Sequence, residues 1–268
     1  MPDLVDATEM IGPLLPQAAS ELGLAPGTAV FGGGGDAALI AVGAGATEPG
    51  DCHVYTGTSG WVSTVVTRQA VDVKRHVAAI VGARPGHYHY FGEQETAGKC
   101  LEWVKNHLAL DEINLFLEKT LVTESPEARH KSLYDFLLST IEQVPPGSGG
   151  VIFAPWLHGN RSPFEDPSAR GMFFNLSLGT GKRAMIRAVV EGIVFHQKWL
   201  FEAVSARFPA KGPLRFVGGG ALSPLMAQIM ADILERPVQT VDHPQNCGAA
   251  GAALTAGIGL GMVRDFPH

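Results

Sequence analysis

Three short glycine-rich segments hold the residues of this chain that are best suited to chemistry. Each follows a β-branched or aromatic run typical of a buried strand, and they are Gly32-Gly33-Gly34-Gly35-Asp36, Gly57-Thr58-Ser59-Gly60 and Gly218-Gly219-Gly220-Ala221. Glycine lets a backbone approach a phosphate or a sugar closely and accepts the positive φ angles of tight turns. Where a turn leads into a helix, free N–H groups and the positive end of the helix dipole attract an anion. The segments therefore predict an anion-binding site that contains one acid, Asp36.

The composition is that of an ordinary globular protein and excludes several function classes. Of the 268 residues, 46% are hydrophobic and 17% are charged, a typical balance for a folded chain. The net charge of -6 argues against a general binder of nucleic acid or of anionic membranes, because both need a basic face. The first residues show no secretory pattern, and the longest uncharged stretch is too short to span a bilayer. We expect a cytoplasmic protein without a nucleic-acid or membrane partner.

The cysteines and histidines do not form an obvious metal site. Cys52, Cys100 and Cys247 are widely spaced, with no CxxC pair, so we expect them to be reduced and buried. His87 and His89 share one face of a predicted strand. Two histidines without a third ligand are more typical of a sheet face than of a zinc site, and we assign no metal-ligating residue to this chain.

The hydrophobic periodicity predicts an α/β fold. Strands 53–56 and 61–66 flank the Gly57–Gly60 turn as a hairpin. A charged helical insertion runs to about residue 143, and Pro145–Gly150 is the clearest linker-like break. The remaining predicted strands are 28–31, 76–81, 86–91, 151–153, 214–217 and 238–241, and the main predicted helices are 37–46, 97–108, 182–206, 225–235 and 248–260. The order β-β-β-α-β-α-β-α is that of a ribonuclease H-like, actin-type ATPase domain with a helical insertion.

Further motifs accompany the glycine segments in a fixed order along nearly the whole chain. They are Ala41-Val42-Gly43-Ala44-Gly45, Ala97-Gly98, Leu101-Glu102-Trp103, Trp156 to Pro163, Asp166 to Gly171, Arg187 to Gly192 and Gly248 to Leu254. Taken together, the ordered set resembles the C-terminal domain of the FGGY carbohydrate kinases, and most of all their xylulokinase-like members.

The resemblance implies two actin-like domains that close around ATP and a sugar, with Mg²⁺ bridging the phosphates. Residues 28–268 would be the C-terminal nucleotide-binding domain, and residues 1–27 the end of the preceding domain or the connection to it. The missing N-terminal kinase domain would carry most of the sugar pocket and an Asp-x-Gly-Thr phosphate hairpin, which does not occur in these 268 residues. Nothing in the sequence settles the oligomeric state, and a homodimer is left open.

The same resemblance assigns roles to individual residues. Asp36 would accept the proton of the sugar hydroxyl, whereas its spacing alone would favour an N-cap of a helix that begins at Ala37. Gly57, Thr58, Ser59 and Gly60 would hold the terminal phosphates, although a Gly-Thr-Ser-Gly hairpin can also be a plain turn. The adenosine loop would comprise Gly218, Gly219, Gly220 and Ala221, together with Ser223, which stands where relatives often carry Asn.

Two other motif interpretations are weaker. Gly33-x-Gly35-x-x-Ala38 matches a loose dinucleotide fingerprint, yet Asp36 would place a carboxylate beside the pyrophosphate and repel it. Gly57 to Trp61 is not a hydrolase elbow, because Trp61 replaces the final glycine.

Two charged residues outside the glycine segments are predicted to be structural. We expect Arg161 to pair with Asp166 within a polar loop. Glu191, unusual inside an apolar helix, is predicted to bond to a loop.

The sequence favours an ATP-dependent kinase for a sugar such as a ketopentose, with this chain as its C-terminal half. Two alternatives remain open: a non-catalytic nucleotide-binding or assembly module on the same fold, and a chaperone or filament relative of the actin-like ATPases. The second would be expected to carry its own first phosphate hairpin.

Overall fold

The computed structural model describes residues 4–109 and 133–267, and its main feature is a mixed seven-stranded sheet. The strands in these residues are β1 Met10–Pro13, β2 Ala29–Phe31, β3 Cys52–Thr56, β4 Gly60–Val66, β5 Val71–Asp72, β6 Val77–Val81, β7 Tyr88–Gln94, β8 Ile152–Ala154, β9 Met172–Phe174, β10 Leu214–Val217 and β11 Val238–Gln239. The sheet order is β11-β10-β3-β4-β7-β6-β5. Strand β10 runs parallel to both β11 and β3, and the other neighbours are antiparallel.

Helices cover both faces of this sheet, which explains why every residue of β4 is buried. The helices in the described residues are α1 Pro16–Leu22, α2 Asp36–Gly43, α3 Gly98–Val104, α4 Leu133–Thr140, α5 Lys182–Ser205, α6 Pro224–Leu234 and α7 Cys247–Gly259. Helix α3 continues as a π-helical turn over Lys105–Ala109. A sheet buried on both faces carries apolar residues without strict alternation.

The two sides of the sheet have different cores. On one side, α3, α5 and α6 enclose the largest cluster of buried residues, which includes Val54, Val62, Ile193 and Phe216. On the other side, α2 and α7 cover Trp61 and neighbouring residues. Helices α2 and α7 approach closely because a Cβ atom on Gly43 or Gly251 would collide with the backbone of the opposite helix.

The predicted order of elements is confirmed, but two of the predicted strands lie outside the seven-stranded sheet. The strand predicted at 28–31 is β2, which pairs with β1, a strand that was not predicted, in a separate two-stranded sheet. The strand predicted at 151–153 also lies outside the seven-stranded sheet, because β8 pairs with β9, a strand that was not predicted. Gly147, Gly149 and Gly150 all have positive φ, and these turns direct the chain away from the sheet. Strand β10 lies beside β3, and β11 lies beside β10 at the edge of the sheet. Part of the predicted helical insertion, residues 110–132, lies outside the described residues.

Glu191 fixes the turn at residues 147–148 to helix α5, as predicted from its unusual position. Its carboxylate accepts hydrogen bonds from Gly147 N at 3.0 Å and from Ser148 Oγ at 2.7 Å. Arg187 lies one helical turn earlier and donates to Glu191 Oε1 at 2.7 Å, and both side chains are only 6% exposed. Arg187 Nη1 also donates to Val144 O at 2.7 Å. Both charged groups of the buried ion pair therefore have additional hydrogen-bond partners outside the pair.

Replacing Glu191 by Leu should destabilise the protein strongly, because it leaves Arg187 charged, buried and without its carboxylate. We expect the free energy of unfolding in urea to fall by about 3 kcal/mol or more. The double variant Arg187→Met/Glu191→Leu removes both charges and should recover most of this loss. A loss below about 1 kcal/mol in the single variant, as for an exposed pair, would contradict the buried clamp.

Candidate active site

The parallel pairing of β3 with β10 brings two of the glycine segments together. Phe216 lies opposite Val54 and Val217 lies opposite Tyr55, so both strands end at the same edge of the sheet. The Gly57–Gly60 hairpin follows β3 and the Gly218–Gly220 turn follows β10. Gly218 adopts a φ of 91°, a value that glycine accepts readily. Two segments far apart in sequence thereby form one wall.

A cavity of about 440 Å³ lies at this edge of the sheet, a size typical of small-molecule sites. Among the predicted nucleotide residues, those that line it are Gly57, Thr58, Gly219, Gly220 and Ser223. The other lining residues are Thr56, Gly98, Lys99, Leu101, Glu102, Tyr134, Asp135, Leu138, Leu222 and Met226. The cavity thus combines glycine backbone, apolar side chains, one lysine and two acids.

Four of the predicted residues shape the loops and do not line the cavity. Gly57 N donates to Ser59 O at 2.9 Å, which closes the hairpin. Gly60 is packed so tightly that an added Cβ would lie 3.0 Å from Tyr55 O, and one on Gly218 would lie 2.6 Å from Thr56 O. Ala221 is 8% exposed. Ser223 lines the cavity and also caps helix α6, since its Oγ accepts from Met226 N at 3.3 Å.

The sequence analysis missed the contribution of helix α3 to the cavity. Gly98 N donates to Gly57 O at 2.8 Å, and Lys99 N donates to Thr58 O at 3.2 Å. A side chain at Gly98 would collide with the Gly57 carbonyl. The Ala97-Gly98 motif was the available signal, because a glycine directly before an apolar helical run often marks a close backbone approach. Lys99 places a cation beside the hairpin.

Asp36 does not line the cavity but lies exposed at the beginning of α2. Gly35 is the N-cap residue, so the helix starts one residue earlier than an Asp36 cap would require. The Asp36 carboxylate accepts a hydrogen bond from Ala37 N at 2.8 Å. Its charge acts on Tyr55 in β3 and on Glu93 in β7. Asp36 is therefore close to the end of the sheet on the side covered by α2 and α7.

Tyr55 packs against the Gly57–Gly60 hairpin. Its ring stacks on Trp61 with centroids 4.0 Å apart, and its hydroxyl lies against Gly57, where no Cβ could fit. Burial raises the pKa of Tyr55, and the negative charge of Asp36 raises it further. Tyr55 thus keeps its proton at neutral pH and can act as a hydrogen-bond donor.

The predicted Arg161–Asp166 pair is wrong. Arg161 Nη1 instead contacts Glu93 Oε2 at 2.5 Å. Burial raises the pKa of Glu93, the charge of Arg161 opposes this rise, and the charges of Glu95 and Asp36 add to it. The Asp166 carboxylate is used locally, since it accepts from Ser168 N at 2.8 Å and from Ala169 N at 3.1 Å. Asp side chains often bond to backbone N–H groups in such turns. Arg161 pairs instead with Glu93, which is distant in sequence.

The cysteines are free and buried, as predicted. Across residues 4–109 and 133–267, no three His, Cys, Asp or Glu side chains are grouped so that they could hold a metal ion. In the same part of the chain, no helix has both the length and the apolar character needed to cross a membrane.

Comparison with known proteins identifies the family. The sequence model for the C-terminal domain of the FGGY family of carbohydrate kinases matches residues 52–260. The chain belongs to the FGGY family of carbohydrate kinases. The matched range includes the hairpin, α3 and the Gly218–Gly220 turn, and Asp36 lies outside it.

Individual FGGY kinases match over almost the entire chain. It is 30% identical to a gluconokinase and 29% identical to a xylulose kinase, both from Bacillus subtilis, and the alignments cover 98% and 99% of the chain. The solved structure of a xylulose kinase from Lactobacillus acidophilus superposes with a TM-score of 0.81 at 26% identity, over 99% of the chain. This confirms the predicted actin-type fold. The chain spans about half the length of these relatives, 49% for both Bacillus kinases.

The cavity should bind adenine nucleotide through Gly219, and Gly219→Val should abolish this binding without unfolding the protein. No atom lies within 4 Å of a Cβ placed on Gly219, so the valine fits the free protein and extends into the cavity. Because no opposing phosphate loop takes part, we expect a Kd in the high micromolar to millimolar range. This corresponds to a binding free energy of about 4 to 6 kcal/mol in magnitude.

Calorimetric titration with ADP provides the measurement, and thermal unfolding checks the fold. Gly179→Val is a matched control, because the Cβ there also meets only ordinary contacts in a loop that does not line the cavity. Unchanged affinity in Gly219→Val, or equal loss in both variants, would show that the nucleotide site has been misplaced.

Proposed function

We propose that this chain is the C-terminal, nucleotide-binding half of an ATP-dependent kinase that phosphorylates a hydroxyl group of a ketopentose such as xylulose. The observation that carries the proposal is the convergence of the Gly57–Gly60 hairpin, the Gly218–Gly220 turn and α3 on a single cavity. Phosphoryl transfer relies on positioned donors around the phosphates more than on covalent chemistry. A wall of glycine backbone with one lysine suits that task.

Each part of the cavity has a role in this proposal. Gly57, Thr58, Ser59 and Gly60 would hold the terminal phosphates, with Lys99 adding a positive charge beside them. Gly218 to Ala221 and Ser223 would lie along the adenosine. The first N–H groups of the 3₁₀ turn at Gly219–Leu222 have no acceptor within the turn and can donate to a ligand. The apolar side chains of Leu101, Leu138 and Met226 suit a nucleobase.

Asp36 would accept the proton of the sugar hydroxyl. Its exposure and its electrostatic effect on Tyr55, which contacts the hairpin, support this role. Mg²⁺ would neutralise the charge of the phosphates. In kinases this ion commonly binds through substrate phosphates and one or two carboxylates, and we expect the preceding domain to supply part of its ligands.

Gluconate is a second candidate substrate, because a gluconokinase matches this chain as well as a xylulose kinase does, at 30% and 29% identity. Gluconate carries a carboxylate and needs a cationic partner, whereas xylulose is neutral. The preceding domain would make most of the sugar contacts, so the choice between these substrates rests on the assay below.

The test is ADP release in a coupled assay with a panel containing xylulose, ribulose, gluconate and glycerol. The 268-residue chain alone should show no sugar-dependent turnover, because domain closure assembles the site. Joined to its preceding Asp-x-Gly-Thr domain, it should turn over one sugar of the panel. Robust turnover by the chain alone would overturn the half-enzyme proposal, and nucleotide binding without turnover in the joined protein would favour a non-catalytic module.

In the joined protein, Asp36→Asn separates catalysis from helix formation. The amide keeps the size of the side chain but cannot accept the proton, so kcat should fall by roughly 100-fold while thermal stability changes little. Asp232→Asn, at an exposed position of α6, is the matched control and should leave kcat unchanged. A near-normal kcat in Asp36→Asn would limit the residue to a role at the helix start.

A further inference from the structure

Thr56 is the last residue of β3 and lies where the two nucleotide loops meet. It lines the cavity although the residue as a whole is only 2% exposed. The predicted phosphate hairpin begins one residue later, at Gly57, so neither the sequence motifs nor the proposed function gives Thr56 a role.

Both nucleotide loops pack directly against Thr56. A Cβ on Gly218 would come within 2.6 Å of Thr56 O, and one on Gly220 would come within 2.9 Å of Thr56 Cβ and 3.0 Å of its Cγ2. The methyl group of Thr56 therefore faces the Gly218–Gly220 turn, while its backbone leads into the hairpin. Thr56 therefore sets the distance between the two loops.

The hydroxyl oxygen of Thr56 accepts a hydrogen bond from helix α5. Gln197 Nε2, in the interior of α5, donates to Thr56 Oγ1 at 2.7 Å, and Gln197 is fully buried. With Gln197 Nε2 as the donor, Thr56 Oγ1 accepts in this bond and its own O–H is directed elsewhere. Gln197 Oε1 has no hydrogen-bond partner among the described residues. Thr56, a residue that lines the cavity, thus keeps one O–H donor for a further acceptor.

We propose that the Thr56 hydroxyl donates a hydrogen bond to a phosphate oxygen of the bound nucleotide and that Gln197 holds it in position. This inference rests on the proposed function. A phosphate accepts hydrogen bonds and does not need to donate, which matches an O–H donor. The surroundings also suit an anion, because Lys99 lines the same cavity and supplies a positive charge.

The competing explanation is that Thr56 only spaces the loops. The variant Thr56→Val separates the two, since it keeps a methyl group against Gly220 and removes the hydroxyl. Thr56→Ser is the reciprocal variant, because it keeps the hydroxyl and removes the methyl group. Each variant is titrated with ADP and with adenosine, and binding is followed by NMR chemical shifts.

We expect Thr56→Val to weaken ADP binding about tenfold and adenosine binding less than twofold. Thr56→Ser should keep ADP binding within about threefold of the original protein. Equal losses for ADP and adenosine would assign Thr56 a spacing role only, and unchanged ADP binding would exclude the contact. If the unsubstituted chain binds neither compound at millimolar concentration, the proposed function fails as well.

Loss of the hydroxyl also removes the acceptor of Gln197 Nε2, which would stay buried without its partner. If Thr56→Val does not fold for this reason, the double variant Thr56→Val/Gln197→Leu removes both polar partners and should fold. It is compared with the unsubstituted chain and with Gln197→Leu alone. Relative to the unsubstituted chain we expect the same tenfold loss, confined to ADP, and Gln197→Leu alone should show part of this loss because the hydroxyl is then no longer held in position. ADP binding by the double variant within about twofold of the unsubstituted chain would overturn the proposal.

Discussion

The register between β3 and β10 is the constraint on which the candidate site depends. Because the strands are parallel and Val217 lies opposite Tyr55, the next residues of both leave the sheet at one edge. A shift by one residue would turn Thr56 to the other face of the sheet and separate it from Gly218 and Gly220. Buried apolar residues on both faces hold this register, since Val54 and Phe216 pack in one core and Val217 in the other.

The two faces of the sheet contribute different parts of the site. Helix α5 lies below the hairpin on one face, where its residue Gln197 contacts Thr56 and its residue Glu191 fixes the turn at residues 147–148. Helices α2 and α7 lie on the other face, and α2 brings Asp36 close to Tyr55. The proposed proton acceptor therefore lies on the face covered by α2 and α7, whereas Gln197 supports Thr56 from the α5 face. Tyr55 is held by its stack on Trp61 and packs against Gly57 of the hairpin.

Local signals in the sequence predicted local features well. The Gly57–Gly60 hairpin and helix α5 follow from turn chemistry and periodicity that neighbouring residues determine, and the ordered motifs indicated the family. Contacts between distant segments carried no such signal. Arg161 bonds to Glu93 while Asp166 is occupied by its own turn. The positions of Lys99 and Thr56 at the cavity appear only when α3 and β10 are placed against the hairpin. The path of β8 depends on positive φ angles at three glycines that composition alone does not reveal.

The most direct test of this account is to record backbone amide NMR spectra of the isolated chain during titration with ADP. We predict that the amide signals of Gly57, Thr58, Gly219 and Gly220 shift together and give one common Kd. Signals from the β8–β9 pair should stay unchanged, since those strands do not line the cavity. Shifts confined to only one of the two loops, or none at millimolar ADP, would contradict the proposal that β3 and β10 assemble a nucleotide site within this chain.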